Sequence, residues 1–183
     1  MDLHIIHLRH RLDRLALLEH ELNSENITRY RLWDGIVCPG KVQTGIAKAH
    51  KQIVRYAKEK NLPEILIGED DLHFCAPGAF NYFLSQKPTD YDLYLGGLSN
   101  GKLSKDKLVD DFAGLLLYMV HERFYETFLA IVEDKHLDRS LKFKGKYVVC
   151  DPQPVIEHSG YSDNMKEYVD ASIFFSGRNL FNG

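Results

Sequence analysis

Ile65-Leu66-Ile67-Gly68-Glu69-Asp70-Asp71 joins an apolar run to three consecutive carboxylates. Residues 64–68 have the length and apolarity of a strand buried on both faces. Carboxylates at the end of such a strand are costly to desolvate unless a cation or several donors compensate them. In an open α/β sheet, ligands bind at the carboxyl ends of the strands. The segment therefore predicts a site for Mg²⁺ or Mn²⁺, the ions that oxygen ligands favour, and a diphosphate held by that metal.

Strand geometry divides the acidic triplet. Successive side chains of a strand point to opposite faces, so we expect Glu69 and Asp71 to share one face and Asp70 to point away from them. Asp71 is accordingly the first predicted metal ligand and Glu69 the second. Asp70 is predicted to face another part of the ligand or a basic partner.

Composition limits the class of protein. The chain has 183 residues, 44% of them hydrophobic, and a formal net charge of -3, which predicts one globular domain over residues 1–183. The basic residues form no broad face beyond the local cluster at 7–14, so we expect no nucleic-acid partner.

The cysteines and the apolar runs indicate a cellular compartment. Cys38, Cys75 and Cys150 are odd in number and far apart, which argues against a disulfide framework and fits a reducing cytoplasm. The longest apolar stretch, residues 112–120, is too short to cross a bilayer, and the amino terminus lacks the pattern of a secretory leader. The expectation is a cytoplasmic protein without a transmembrane segment. Peripheral association with a membrane and the oligomeric state stay open.

Strand and helix patterns alternate along the chain. Apolar runs predict strands, and recurrence at helical spacing between caps and breakers predicts helices. The predicted strands are 3–8, 27–33, 64–68, 91–95, 113–120 and 147–150, and the predicted helices are 11–23, 44–60, 77–85 and 122–133. The polar segment 98–111 is compatible with an active-site loop or with a small hairpin.

This order predicts the fold class. Strands separated by helices imply parallel pairing with right-handed crossovers, hence a three-layer α/β/α sandwich with a mostly parallel central sheet. The ends of its strands then meet along one edge. That edge would carry His7, Leu8 and Arg9 for a diphosphate, Asp34 and Gly35 for a base or ribose, and the acidic triplet for a metal.

Several motifs occur together in a recognisable order. They are Ile5-Ile6-His7-Leu8 with Arg14, Trp33-Asp34-Gly35, Gly45 with His50, the segment ending Glu69-Asp70-Asp71, Tyr91-Asp92-Leu93-Tyr94-Leu95-Gly96, and Pro154-Val155 with Ser159 and Ser162-Asp163. In this order the chain resembles glycosyltransferase family 25, which includes lipooligosaccharide β-galactosyltransferases and collagen galactosyltransferase domains. It departs from the family pattern at His7, Ala49 and His158, where the family usually has Asn, Ser and Gln.

The resemblance implies a GT-A type fold and an inverting, metal-dependent transfer of a hexose, galactose first, from a UDP-sugar to a saccharide of a surface glycan such as lipopolysaccharide. By the same resemblance Arg14 binds the donor phosphates, His158 is a further metal ligand beside Asp71 and Glu69, and Asp138 is the catalytic base. Asp70 is expected both to bind the donor and to take part in catalysis. The implied donor site is completed by Leu8, Arg9, Asp34, Gly35, His50 and Glu69.

Each of these residues also has a purely structural interpretation. The acidic triplet could be a solvated turn, Asp34 a turn former, and His50 a core histidine on the apolar face of its helix. His158 could equally be structural. Two other functions stay open: a catalytically silent GT-A-like domain that binds a nucleotide or glycan, and another metal-dependent enzyme of nucleoside diphosphates, such as a nucleotidyltransferase. The sequence has no Gly-rich phosphate loop, which counts against the nucleotidyltransferase.

Overall fold

A computed structural model describes residues 1–183. Its strands are β1 (Leu3–His7), β2 (Tyr30–Asp34), β3 (Glu64–Glu69), β4 (Leu72–Phe74), β5 (Leu93–Leu95), β6 (Asn100–Gly101), β7 (Phe112–Ala113), β8 (Leu117–His121), β9 (Tyr147–Val149), β10 (Val155–Glu157), β11 (Gly160–Ser162) and β12 (Glu167–Val169). Its helices are α1 (Leu12–Ser24), α2 (Val42–Glu59), α3 (Ala79–Ser85), α4 (Tyr125–Leu129), α5 (Leu137–Ser140) and α6 (Ser172–Phe175).

Six strands form the central sheet, in the order β2-β1-β3-β8-β5-β9. The pairs β1–β2, β1–β3 and β5–β9 are parallel, whereas β8 runs antiparallel to both of its neighbours. This confirms the predicted α/β class with a mostly parallel sheet. The parallel ends of β1, β2 and β3 meet at one edge, where the acidic triplet begins.

Side-chain alternation along β3 separates two hydrophobic cores. Ile65 and Ile67 pack with the apolar face of α2 and with α4, including Ile53 and Phe128. Leu66 points the other way and packs with residues of α1 and α3. Helices therefore cover both faces of the sheet, and a side chain at the end of β3 faces either α2 or α1 according to its position.

The second half departs from the predicted elements. The predicted strand 113–120 is divided into β7 and β8, with a loop that begins at Gly114, whose φ is +110°. The predicted helix 122–133 is a single 3-10 turn followed by the short helix α4. The segment 98–111 contains β6, which pairs with β7 as a small hairpin, one of its two predicted alternatives. None of the helices is both long enough and apolar enough to span a bilayer.

Candidate active site

A cleft of about 590 Å³ opens where β1 and β3 end and α2 begins. Its size is in the range of pockets that hold small molecules and nucleotides. Eight of the predicted site residues line it: Leu8, Arg14, Gly35, His50, Glu69, Asp70, Asp71 and Asp138. Leu8, Gly35 and the acidic triplet were predicted to lie on one edge of the sheet, and the structure adds Arg14, His50 and Asp138 to them.

Two glycines shape the wall of the cleft. A Cβ at Gly45, in the first turn of α2, would lie 2.1 Å from the backbone oxygen of Ile36, and a Cβ at Gly35 would lie 2.6 Å from Leu8 Cδ2. At Gly45 only glycine permits such close approach to the backbone, whereas at Gly35 the Leu8 side chain would have to move. The loop after β2 therefore packs directly on the start of α2 and forms one side of the cleft.

Asp70 is held by two basic side chains. Arg14 of α1 donates from Nη1 to Asp70 Oδ1 over 2.9 Å, and His7 Nδ1 lies 2.8 Å from Asp70 Oδ2. The Asp70 side chain is buried and faces the α1 side of the sheet, opposite to Glu69, as strand alternation predicts. Its carboxylate thereby positions Arg14 at the cleft, and its predicted role in catalysis stays a prediction.

Asp71 shares Arg14 with Asp70. Arg14 Nη1 also donates to Asp71 Oδ2 over 2.8 Å. Strand alternation does not reach Asp71, because β3 ends at Glu69 and the chain then turns. The other oxygen, Asp71 Oδ1, is buried and has no hydrogen-bond partner. An unpaired buried carboxylate oxygen is costly, so Asp71 has one coordination position ready for a ligand.

Glu69 belongs to a buried chain of polar groups on the α2 side. His50 Nε2 lies 2.9 Å from Glu69 Oε1, and His50 Nδ1 lies 2.6 Å from the Tyr118 hydroxyl. Burial lowers the pKa of His50 to about 4, so the ring is neutral. A neutral ring satisfies both contacts when Tyr118 donates to Nδ1 and Nε2 donates to Glu69. His50 is thus both a core histidine and an orienting partner of Glu69.

Removing the Tyr118 hydroxyl tests this chain of contacts. Tyr118→Phe leaves buried His50 Nδ1 without a donor, so we expect the free energy of unfolding to fall by about 1.5 kcal/mol in urea denaturation. Tyr94→Phe is the matched control, since the Tyr94 hydroxyl donates to Phe83 O elsewhere in the core. Both variants should lose stability, but only Tyr118→Phe should weaken the binding of a divalent metal in the cleft. Equal effects of the two variants on binding would contradict the role of Tyr118 and His50 in orienting Glu69.

A fourth carboxylate, Glu157, comes from the last position of β10 and forms an acidic cluster with Glu69, Asp70 and Asp71. Burial raises the pKa of Glu69 to about 8, with the charges of Glu157 and Asp70 acting in the same direction. Burial likewise raises the pKa of Asp71 to about 7, against the opposing charge of Arg14. Burial and the charge of Asp71 raise the pKa of Glu157 to about 7. At neutral pH, Glu69 therefore keeps its proton, and Asp71 and Glu157 are only partly ionised.

These raised pKa values predict a pH-dependent stability. A carboxyl group whose pKa is raised by folding keeps a proton that the unfolded chain releases, so its stabilising contribution is lost as pH rises from about 4.5 to the folded value. With a chelator present, we expect the protein to lose about 2 kcal/mol of unfolding free energy between about pH 5 and pH 8. Glu157→Gln should reduce this loss in the same urea experiment. Stability that rises over this interval would contradict the prediction.

The donor set suits a hard divalent cation. Asp71, Glu69 and Glu157 offer carboxylate oxygens, the ligand type that Mg²⁺ and Mn²⁺ prefer, and Asp71 Oδ1 is unpaired. Mg²⁺ sites commonly use one or two carboxylates and complete their coordination with water and substrate phosphates. The three carboxylates do not form a three-ligand cluster, because only Glu21, His73 and His158 have ligand atoms that all lie within 4.8 Å of one another. Asp71 therefore fits a metal that takes most of its ligands from water and a diphosphate.

Asp138 faces this cluster from the first turn of α5. Its Oδ2 accepts from the backbone N–H of Gly114 over 3.1 Å, and its Oδ1 accepts from that of Arg139 over 2.7 Å. Its charge contributes to the raised pKa of Glu69, so the two carboxylates lie within electrostatic reach of each other. The short loop after β7 thus fixes the predicted base at the wall of the cleft.

Three predicted site residues lie elsewhere. Arg9 and Asp34 form an exposed ion pair with each other, with 2.5 Å between Arg9 Nε and Asp34 Oδ1, and neither lines the cleft. His158 Nε2 lies 3.0 Å from Glu21 Oε1, outside the acidic cluster. Donor contacts by Arg9 and Asp34, and metal ligation by His158 with Asp71, stay predictions without a supporting contact.

Sequence reasoning missed Glu157 and Tyr118. Glu157 reaches the cluster because β10 pairs antiparallel with β4, which sets Glu157 opposite Leu72. Its only local signal is a carboxylate after the apolar pair Val155-Ile156, one residue before His158. Tyr118 lies opposite Ile67 on antiparallel β8, and a tyrosine inside an apolar run carries no signal of a polar contact.

No family model and no curated protein matches this chain. Among solved structures it is similar to A197 from STIV, at 14% identity and a TM-score of 0.55, covering 92% of this chain and 93% of that chain. HddC from Yersinia pseudotuberculosis complexed with GMP-PN follows at 12% identity and a TM-score of 0.44, covering 81% and 88% of the two chains. The inositol-1-phosphate CTP transferase from T. maritima has 13% identity, a TM-score of 0.47 and coverage of 74% and 61%. Likeness at such identity reflects the fold and not the activity.

Proposed function

We propose that this protein is a GT-A type glycosyltransferase. It transfers a hexose, which we propose to be galactose, from a UDP-sugar to a saccharide of a surface glycan such as lipopolysaccharide. The observation that most supports this proposal is Asp71, a buried carboxylate with one unpaired oxygen, in an acidic cleft at the ends of parallel strands. That is where an open α/β sheet binds its ligand. The order of the motifs that resemble glycosyltransferase family 25 supports the choice of donor and reaction.

In this proposal the donor diphosphate binds beside the ion pair of Asp71 and Arg14. A divalent metal on Asp71, with Glu69 or Glu157, would act as a Lewis acid for the charge that develops on the leaving phosphate. Arg14, fixed by Asp70, supplies a permanent positive charge at the same place. Leu8 and Gly35 line the wall available to the base and ribose.

Asp138 takes the proton of the acceptor hydroxyl in this proposal. Inverting transfer needs a base on the side of the sugar opposite to the leaving diphosphate. Asp138 is held on the wall formed by Gly114 and α5, whereas Arg14 and Asp71 come from α1 and the end of β3. The two groups thus come from different walls of the cleft, as this chemistry requires.

A nucleotide panel tests the proposal. Thermal shift with UDP, GDP and CMP, each with Mn²⁺ and with a chelator, should show stabilisation by UDP with Mn²⁺. A ligand at 100 times its Kd stabilises by about 2.7 kcal/mol, which such an assay detects. Hydrolysis of UDP-galactose to UDP and galactose should follow. The donor-site proposal fails if no nucleotide shifts the melting temperature in either condition.

A second candidate is a catalytically silent domain that binds a nucleotide or glycan. Arg14 favours it, because its guanidinium bridges Asp70 and Asp71 and compensates part of their charge without a metal. In that case UDP binds equally well with chelator and with Mn²⁺, and no UDP-sugar is hydrolysed or transferred. A nucleotidyltransferase would instead release pyrophosphate from a nucleoside triphosphate, so the product separates the three functions.

A further inference from the structure

A second group of potential metal ligands lies outside the cleft. Glu21 of α1, His73 of β4 and His158, directly after β10, form a two-histidine cluster. One ligand atom of each residue lies within 4.8 Å of the other two. The ring centroids of the two histidines are 4.6 Å apart. None of these three side chains lines the cleft that contains the acidic cluster.

The cluster is held in place before any ligand binds. Glu21 Oε1 lies 2.7 Å from His73 Nδ1 and 3.0 Å from His158 Nε2. Glu21 Oε2 accepts from the backbone N–H of Phe74 over 2.9 Å, which fixes the orientation of the carboxylate. The backbone N–H of His158 donates to Asp71 O over 2.7 Å and ties the end of β10 to the turn after β3.

Its dimensions match those of a tetrahedral site. Zn²⁺ binds histidine nitrogen and carboxylate oxygen at about 2.0–2.2 Å, so neighbouring ligand atoms lie about 3.4 Å apart around a tetrahedral ion. The present separations of 2.7 and 3.0 Å would need to open by only about half an ångström. Glu21 is buried, but the His73 side chain is 40% exposed and that of His158 is 20% exposed, so an ion can enter from solvent.

We propose that Glu21, His73 and His158 bind a first-row transition metal ion, with Zn²⁺ as the expected ion and water in the remaining coordination position. Two imidazoles and one carboxylate are a ligand set of zinc enzymes and do not suit Mg²⁺ or Ca²⁺. On binding, a neutral ring moves the proton that it directs at Glu21 to its other nitrogen, and a protonated ring releases that proton to solvent. His73 Nδ1 and His158 Nε2 then become ligands.

The ion would join three separate elements. Glu21 comes from α1, which also carries Arg14, while His73 and His158 follow Asp71 and Glu157 closely in the chain. A metal at the cluster would therefore fasten the β4–β10 pair to α1 behind the cleft. This site differs from the proposed donor-metal site in its residues and in the ions it prefers, so either can exist without the other.

Zinc binding to the full chain tests the proposal. Protein freed of metal by chelator dialysis is titrated with Zn²⁺ in competition with a chromophoric chelator, and one equivalent should bind. His73→Gln and His158→Gln should each weaken Zn²⁺ binding by about 100-fold or more, because each removes a ligand. His20→Gln is the matched control, an exposed histidine beside Glu21 on α1, and should bind Zn²⁺ as the parent does. An excess of Mg²⁺ should not displace the zinc.

Further variants separate the two metal sites and guard against misfolding. Asp71→Asn should retain the zinc while losing Mn²⁺-dependent UDP binding. Circular dichroism and urea denaturation without metal establish that the histidine variants are folded, and His73 is exposed enough to tolerate glutamine. The proposal is overturned if folded His73→Gln and His158→Gln bind Zn²⁺ like the parent, if Asp71→Asn loses the zinc, or if no equivalent binds.

Discussion

Asp71→Asn is expected to weaken UDP binding in the presence of Mn²⁺ by about 100-fold, which corresponds to about 2.7 kcal/mol. The reason is the unpaired oxygen Asp71 Oδ1, which is the one carboxylate oxygen of the cleft that is buried without a partner. An amide is a much weaker ligand for a hard cation than a carboxylate. Isothermal titration calorimetry of UDP with Mn²⁺ measures the effect.

The Asp71→Asn variant should fold well, which keeps the experiment interpretable. Burial raises the pKa of Asp71 to about 7, so removal of its charge costs the folded protein less than at an ordinary carboxylate, and asparagine has the same shape. Asp106→Asn, at an exposed position distant from the cleft lining, is the matched control and should leave UDP binding unchanged. Unaltered affinity in Asp71→Asn would mean that Asp71 holds no metal.

Asp138→Asn is expected to lower kcat for galactosyl transfer by about 10²- to 10⁴-fold while UDP affinity stays within about twofold of the parent value. Asparagine keeps the size of the side chain and can still accept the hydrogen bond from Gly114 N, but it cannot take a proton. Loss of turnover without loss of donor binding is the signature of a missing base. Steady-state transfer kinetics together with UDP titration measure both quantities.

Asp134→Asn is the control for the proposed base. It changes an exposed carboxylate in the loop before α5 that does not line the cleft, and turnover should be unaffected. Should Asp138→Asn transfer galactose at the parent rate, the role of base would pass to Glu69, whose pKa is raised to about 8 by burial. Glu69→Gln would then remove turnover instead.

The sequence predicted the elements around the acidic triplet well, because their signals are local. The apolar run before Glu69 is β3, the helix containing His50 is α2, and the helix after Arg11 is α1. Strand alternation also separated Glu69 from Asp70 correctly. Alternation holds only within a strand and β3 ends at Glu69, so the predicted pairing of Glu69 with Asp71 stays a prediction.

Long-range pairing explains what the sequence could not predict. The position of Glu157 depends on the antiparallel register of β10 with β4, and these strands are far apart in the chain. Successive residues of a strand face opposite sides. The register of β10 to within one residue therefore decides whether the side chain of Glu157 or of His158 approaches Asp71. The structure turns the His158 ring toward Glu21, a contact that spans 137 residues.

Metal-dependent binding of UDP tests the central claim most directly. The affinity of UDP for the unmodified chain is measured by calorimetry at saturating Mn²⁺ and again with chelator. A metal bridging Asp71 and the diphosphate predicts binding at least about 10-fold tighter with Mn²⁺. Equal affinity in the two conditions, or no binding in either, would contradict a nucleotide-sugar site built on Asp71.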